Sequence, residues 1–164
     1  MIKLAATDIE TNGLYFDVNL FHCAWIVEPL TGKRFGFRPD QLKEYVEKLM
    51  TYDILIGHNV IDYDFPTIKK LCPGFECPAV FDTLVLSRML EPDRPQGHSL
   101  KSWGVALGLL KGDYGEQEDA WDVFTEDMYV YCERDVDVTV LLYKHLCEKA
   151  GFDWQNPPSN TFKF

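Results

Sequence analysis

The chain has 164 residues and a net charge of −10, with 46% hydrophobic and 14% aromatic residues. That is enough apolar material for one globular domain with a sizeable core, which excludes a disordered chain. The acidity argues against a broad basic surface for holding nucleic acid, though not against gripping a strand end where a metal cluster supplies local positive charge.

The opening stretch reads as a strand: Ile2, Leu4 and Ala6 alternate on one face, Asp8 and Glu10 continue that face, and Asn12-Gly13 is a turn. Two carboxylates side by side at a half-buried site repel. At 4 Å and an effective dielectric near 20 the cost is roughly 4 kcal/mol, so a divalent cation is the obvious offset. Phe21 to Glu28 reads as a second strand, Pro29 to Gly32 as a turn, and Lys33 to Arg38 as a third strand, making a meander. A helix comes next, from Pro39-Asp40 to about Met50, with Leu42, Tyr45, Val46 and Leu49 at helical spacing. Asp53 to Gly57 is a nearly continuous apolar run, as in a strand buried on both faces.

His58-Asn59 leads on to a helix from Asp64 to Leu71 with Pro66 in its first turn. Cys72 and Cys77, set among Pro73, Gly74 and Pro78, read as a loop in preference to a zinc site. Phe81-Asp82 leads into a helix, TLVLSRML; Glu91 to Gly97 is a loop; Ser99 to about Leu107 is a further helix. Gly112 to Asp122 reads as a polar, acidic loop. Thr125 suits the N-cap of the longest helix, which runs to Lys149 with Gly151 just past its end. The tail Asp153 to Phe164 is expected to be loosely attached, which leaves a domain over residues 1–152 and a tail over 153–164.

No apolar run approaches the roughly 20 residues of a membrane span, and MIKLAATDIE is too short and acidic for a signal peptide. The odd number of cysteines, five, fits free buried thiols. A cytoplasmic protein with no membrane partner is expected.

This order of elements predicts an α/β domain with a mixed sheet flanked by helices, and such folds place chemistry at the carboxyl ends of strands. Asp8, Glu10, His58 and Asn59 all fall there. On the long helix, Met128, Cys132, Val136, Thr139, Tyr143 and Leu146 form an apolar stripe, flanked by Tyr131 and Asp135 four residues apart. An acid beside that stripe is either a ligand or a surface partner of Arg134 or Lys144. Asp62 and Asp64 are read from their own residues as turn formers and helix caps.

Three segments taken together resemble a known pattern. DIET near the start, Asn59 four residues ahead of Tyr63-Asp64-Phe65-Pro66, and Tyr131-x-x-x-Asp135 are similar to the three motifs of the DEDD 3′–5′ exonucleases. The tyrosine in the last motif marks the DEDDy branch. Further stretches (FHC, DTLVLSR, GHSLKSWGVALG followed by KGDY, and YCERDVDVT) resemble the proofreading domain of family A replicative DNA polymerases of T-seven-type phages, over about residues 2–145.

The resemblance implies an RNase H-like fold and two divalent cations, Mg²⁺ or Mn²⁺, held by Asp8, Glu10, Asp64 and Asp135, with Tyr131 orienting the attacking water. Hard oxygen ligands suit these ions, and two ions about 4 Å apart suit in-line phosphodiester hydrolysis. It also implies substrate contacts at Thr11, Leu14, His58 and Asn59, with Leu14 wedged against terminal bases. His98 matches a histidine of the phage relatives, and helix-start hydrogen bonding is the role expected of it. The spacing from Asn59 to the acid is one residue longer than in many bacterial relatives, so Asp62 stays a rival to Asp64.

The expected activity is removal of nucleotides from a single-stranded or frayed DNA 3′ end as 5′-monophosphates, with a separate polymerase or single-strand-binding protein delivering the substrate. Nothing after Asp153 could supply a polymerase, so a stand-alone enzyme is expected. An RNA-directed exonuclease and a non-catalytic acidic partner of a DNA polymerase are the alternatives.

Overall fold

The central strand of the sheet is β1 (Leu4–Thr11), and its two faces define the two halves of the core. Ala5 and Ile9 join one apolar cluster, whereas Leu4 and Ala6 point to the other side and join a second. This is the period-2 alternation anticipated from the residues. β2 (Phe21–Val27) pairs antiparallel with β1, and β3 (Arg34–Phe37) antiparallel with β2. On the other side β4 (Ile54–Gly57) and β5 (Ala79–Asp82) run parallel, giving the order β3-β2-β1-β4-β5. The computed structural model describes residues 1–109, 114 and 119–164, so most of the acidic loop expected over 112–122 lies outside the described residues.

α1 (Leu42–Leu49) and α2 (Phe65–Leu71) cover the Ala5/Ile9 face through Tyr45, Val46, Leu49, Phe65 and Ile68. α3 (Thr83–Leu90), α4 (Leu100–Leu107) and α5 (Glu126–Ala150) cover the opposite face. This is the RNase H-like mixed sheet flanked by helices. α5 keeps to its expected boundaries: Thr125 accepts the Met128 N–H at 3.1 Å, and Gly151 terminates it with φ 76°. Its whole predicted stripe is buried. Asp137, on the other side, pairs with Arg34 of β3 at 2.5 Å.

Three features depart from the sequence reading. The sequence shows β5 only as a lead into α3; its four residues, the last of them the helix cap, are too few to show a period. The segment before α2 is a π-helical turn, Val60–Asp64. The tail is packed, not loose: Asn160 bridges Val80 by two backbone hydrogen bonds, of 2.7 and 3.1 Å, and Phe162 and Phe164 pack on the core. The five cysteines are free, with Cys23, Cys132 and Cys147 buried. No helix among the described residues is long and apolar enough to cross a membrane.

Candidate active site

Asp8 and Glu10 project from the carboxyl half of β1 toward α5. One carboxylate oxygen from each lies within 4.8 Å of the other and of Cys132 Sγ. Between Glu10 and Thr11 the register with β2 shifts, so that Glu10 faces Cys23 while Thr11 faces Phe21. Such irregularities re-aim side chains at the ends of strands beside functional sites. Cys132 packs against β1, its thiol 3.5 Å from the Asp8 carbonyl. Burial, then a hydrogen bond with Cys23, then the charges of Asp8 and Glu10 push that thiol well above its usual range. It stays protonated and makes a poor ligand for a hard cation. Asp135 lies about one turn later on α5, is 3% exposed, and lines the same hollow as Asp8.

The fourth acid arrives by a less regular route. The chain leaves β4 at Gly57, where a Cβ would collide with the Val60 side chain, so only glycine lets the turn close this tightly. Asn59 takes a left-handed φ of 63°, which its short polar side chain tolerates. Val60–Asp64 then winds as a π turn, with the Phe65 N–H bonded to the Val60 carbonyl five residues back. The wider turn takes in one more residue than an α turn, and π turns recur at functional sites. It leaves Asp62 exposed and Asp64 buried, hydrogen-bonded to Asp8. Of the two rival acids, the structure brings only Asp64 to Asp8.

Burial, then the charge of Asp8 and the hydrogen bond with it, then the charge of Asp82 hold the Asp64 carboxyl well above the ordinary carboxylate range; the Ile9 N–H opposes them. A carboxyl pair this close shares a proton unless a cation replaces it. The other Asp64 oxygen, Oδ2, is buried with no hydrogen-bond partner. A buried unsatisfied oxygen beside further carboxylates fits Mg²⁺ or Mn²⁺, which take oxygen ligands.

Two hollows flank these acids. One, of about 400 Å³, is lined by Asp8 and Asp135 together with His58, Asn59, Arg88 and His98. The second, of about 420 Å³, is lined by Glu10, Thr11, Leu14, Tyr63 and Trp121. Leu14 stands 74% exposed at its rim. Thr11 donates to the Gly13 carbonyl at 3.0 Å and bonds the Tyr63 hydroxyl, which fixes the turn that presents Leu14. Both His58 nitrogens are engaged, Nδ1 with Thr83 Oγ1 at 2.8 Å and Nε2 with the His98 carbonyl at 2.9 Å. The Tyr131 ring packs against Tyr114 and Trp121, at centroid distances of 5.6 and 6.1 Å. Nothing in the local sequence singles out Arg88 or the clustering around Asp82, and His98 shows there only a helix-start role.

A family model described as 3′–5′ exonuclease matches residues 4–150. The chain belongs to the 3′–5′ exonuclease family. This exonuclease-family chain is 30% identical, over 97% of its length, to the DNA-directed DNA polymerase of Escherichia phage T7, and equally to that of Enterobacteria phage T3. It spans only 28% of the length of those polymerases. Among solved structures, Brucella melitensis NrnC superposes with TM-score 0.69 at 20% identity, over 94% of this chain and 78% of that one. The catalytic core of RRP6 from Trypanosoma brucei (mutant C496S) superposes with TM-score 0.68 at 16% identity, over 93% and 44%. At these identities the structural likeness establishes the fold, while the family match carries the nuclease assignment.

Proposed function

We propose that this exonuclease-family chain is a metal-dependent enzyme of the DEDDy type that hydrolyses the terminal phosphodiester of single-stranded or frayed DNA and releases 5′-monophosphates. The observation that carries the reading is the buried Asp64 carboxyl, hydrogen-bonded to Asp8 with its other oxygen left unsatisfied. Asp8, Glu10, Asp64 and Asp135 would hold two divalent cations, Mg²⁺ or Mn²⁺. When bound, such ions activate water and stabilise charge at the scissile phosphate and the departing 3′ oxygen.

The chain's own residues do the remaining work. Tyr131, one helical turn before Asp135, orients the attacking water through its hydroxyl. Leu14, exposed at the rim, separates the terminal bases, and Thr11 holds the turn behind it. His58 and Asn59 line the neighbouring hollow and position the strand. Unpaired ends enter without the unpairing cost of a duplex, which favours single-stranded substrate. The net charge of −10 leaves little general attraction for DNA, so a separate polymerase or single-strand-binding protein delivers the end.

The test is incubation with labelled single-stranded and 3′-recessed DNA, and with matched RNA, in Mg²⁺, Mn²⁺ or EDTA. Stepwise shortening of DNA from the 3′ end, abolished by EDTA, is expected. Faster degradation of RNA would reassign the substrate, and no degradation with either ion would end the reading.

A further inference from the structure

Asp82 ends β5 and caps α3, its Oδ1 accepting the Leu84 N–H at 2.9 Å. That bond alone completes the cap. Yet the same carboxylate, 7% exposed, reaches across to the chain that leaves β4. Oδ1 also accepts the Asn59 N–H at 2.9 Å, and Oδ2 accepts the Ile61 N–H at 3.1 Å. These two bonds land on the left-handed residue and just inside the π turn, at the entry to the segment whose far end is Asp64. A π turn is a sparsely used conformation, and no β-ladder holds this one in place. Serine, threonine or asparagine would cap α3 as well, but only a carboxylate offers two acceptor oxygens to three N–H groups.

The geometry points to Asp82 as a positioning residue that braces the 59–64 turn and so sets Asp64 against Asp8. It acts through Asp64, and the inference rests on the proposed role of Asp64 as a cation ligand. Partners that orient ligands from behind typically change metal affinity 10–100-fold when removed.

Two variants separate bracing from capping. Asp82→Asn keeps an oxygen for Leu84 and Asn59 but sets an NH₂ group against the Ile61 N–H. Asp82→Ser keeps a good helix cap and loses both braces. Val46→Ala, in the α1 core, serves as a variant of lowered stability that leaves the turn alone. The readouts are Mn²⁺ affinity by electron paramagnetic resonance, melting temperature, kcat and oligonucleotide KM, and amide exchange at Asn59 and Ile61.

Both Asp82 variants are expected to bind Mn²⁺ about tenfold more weakly, with lower kcat and unchanged KM. Ile61 exchanges faster in both and Asn59 faster in the serine variant, while Val46→Ala lowers the melting temperature and leaves Mn²⁺ affinity intact. The brace is overturned if the Asp82 variants bind Mn²⁺ like wild type, if Val46→Ala weakens Mn²⁺ equally, or if neither Asp82 variant folds. A wild-type protein that neither binds Mn²⁺ nor degrades DNA overturns the proposed function instead, and the amide exchange still reports on the brace.

Discussion

β1 and the turn over residues 58–64 bring acids to the same place by different means. β1 is paired with β4 as far as Ala6 and with β2 through Asp8 and Glu10, so every second residue faces α5, and the β2 ladder aims the two acids. The turn has no ladder. Its path depends on the missing Cβ at Gly57, the left-handed Asn59, and two long-range bonds from Asp82. A regular element carries its geometry in its own residues, whereas an irregular one borrows geometry from distant parts of the chain.

Removing an acid abolishes the distinction altogether and has the largest expected effect. Asp8→Ala from the strand, Asp64→Ala from the turn and Asp135→Asn from α5 each lower the rate of nucleotide release by orders of magnitude with the circular dichroism spectrum unchanged. Retained activity in any one removes that acid from the site. Gly57→Ala comes next, because the added methyl drives into Val60. Overpacking of this kind costs about 1–3 kcal/mol, or several degrees in melting temperature for a chain of this size. Ile9→Val in β1 costs about 0.5–1.5 kcal/mol. A Gly57→Ala protein that melts like wild type would mean the turn is as locally determined as the strand.

Proton linkage sharpens the contrast further. The unfolded chain releases the Asp64 proton near the ordinary carboxylate pKa of about 4, whereas the folded chain holds it to higher pH. Between those two values the folded state binds more protons, so stability falls as pH rises and is level below that window. Melts in EDTA are expected to show this decline, and Asp64→Asn to remove most of it. A flat wild-type profile would contradict the shared proton. The smallest effect belongs to Arg34→Ala, which cuts two exposed ion pairs between β3 and α5, with Glu133 and Asp137. Pairs of this kind contribute about 1 kcal/mol or less, and exonuclease activity should persist.

The same contrast explains how much of the molecule is legible in its sequence. The strand acids and the α5 stripe are legible because periods of 2 and 3.6 place side chains without reference to anything distant. Asp135 can be seen beside that stripe, though only its burial beside Asp8 in the folded chain distinguishes it from a surface acid. Phase is lost at Asn59, so Asp62 and Asp64 stay rivals until the π turn separates them. β5 is too short to declare itself. Asp82 looks like a helix cap because its two other bonds span 21 and 23 residues. The His98 ring bonds Ser87 Oγ at 2.7 Å, and Ser87 in turn accepts from Trp103 Nε1 at 2.8 Å. A network joining α3 to α4 in this way leaves no trace in local spacing.

β5 is the outermost strand on its side of the sheet, and the Asn160 bridge occupies part of its free hydrogen-bonding edge while Phe162 and Phe164 anchor the chain end against the core. Unprotected edges recruit strands from neighbouring molecules. The last few residues therefore cover part of an edge that would otherwise be open to strand addition: cut away after Pro158, the protein should keep its acids in register yet self-associate as its concentration rises.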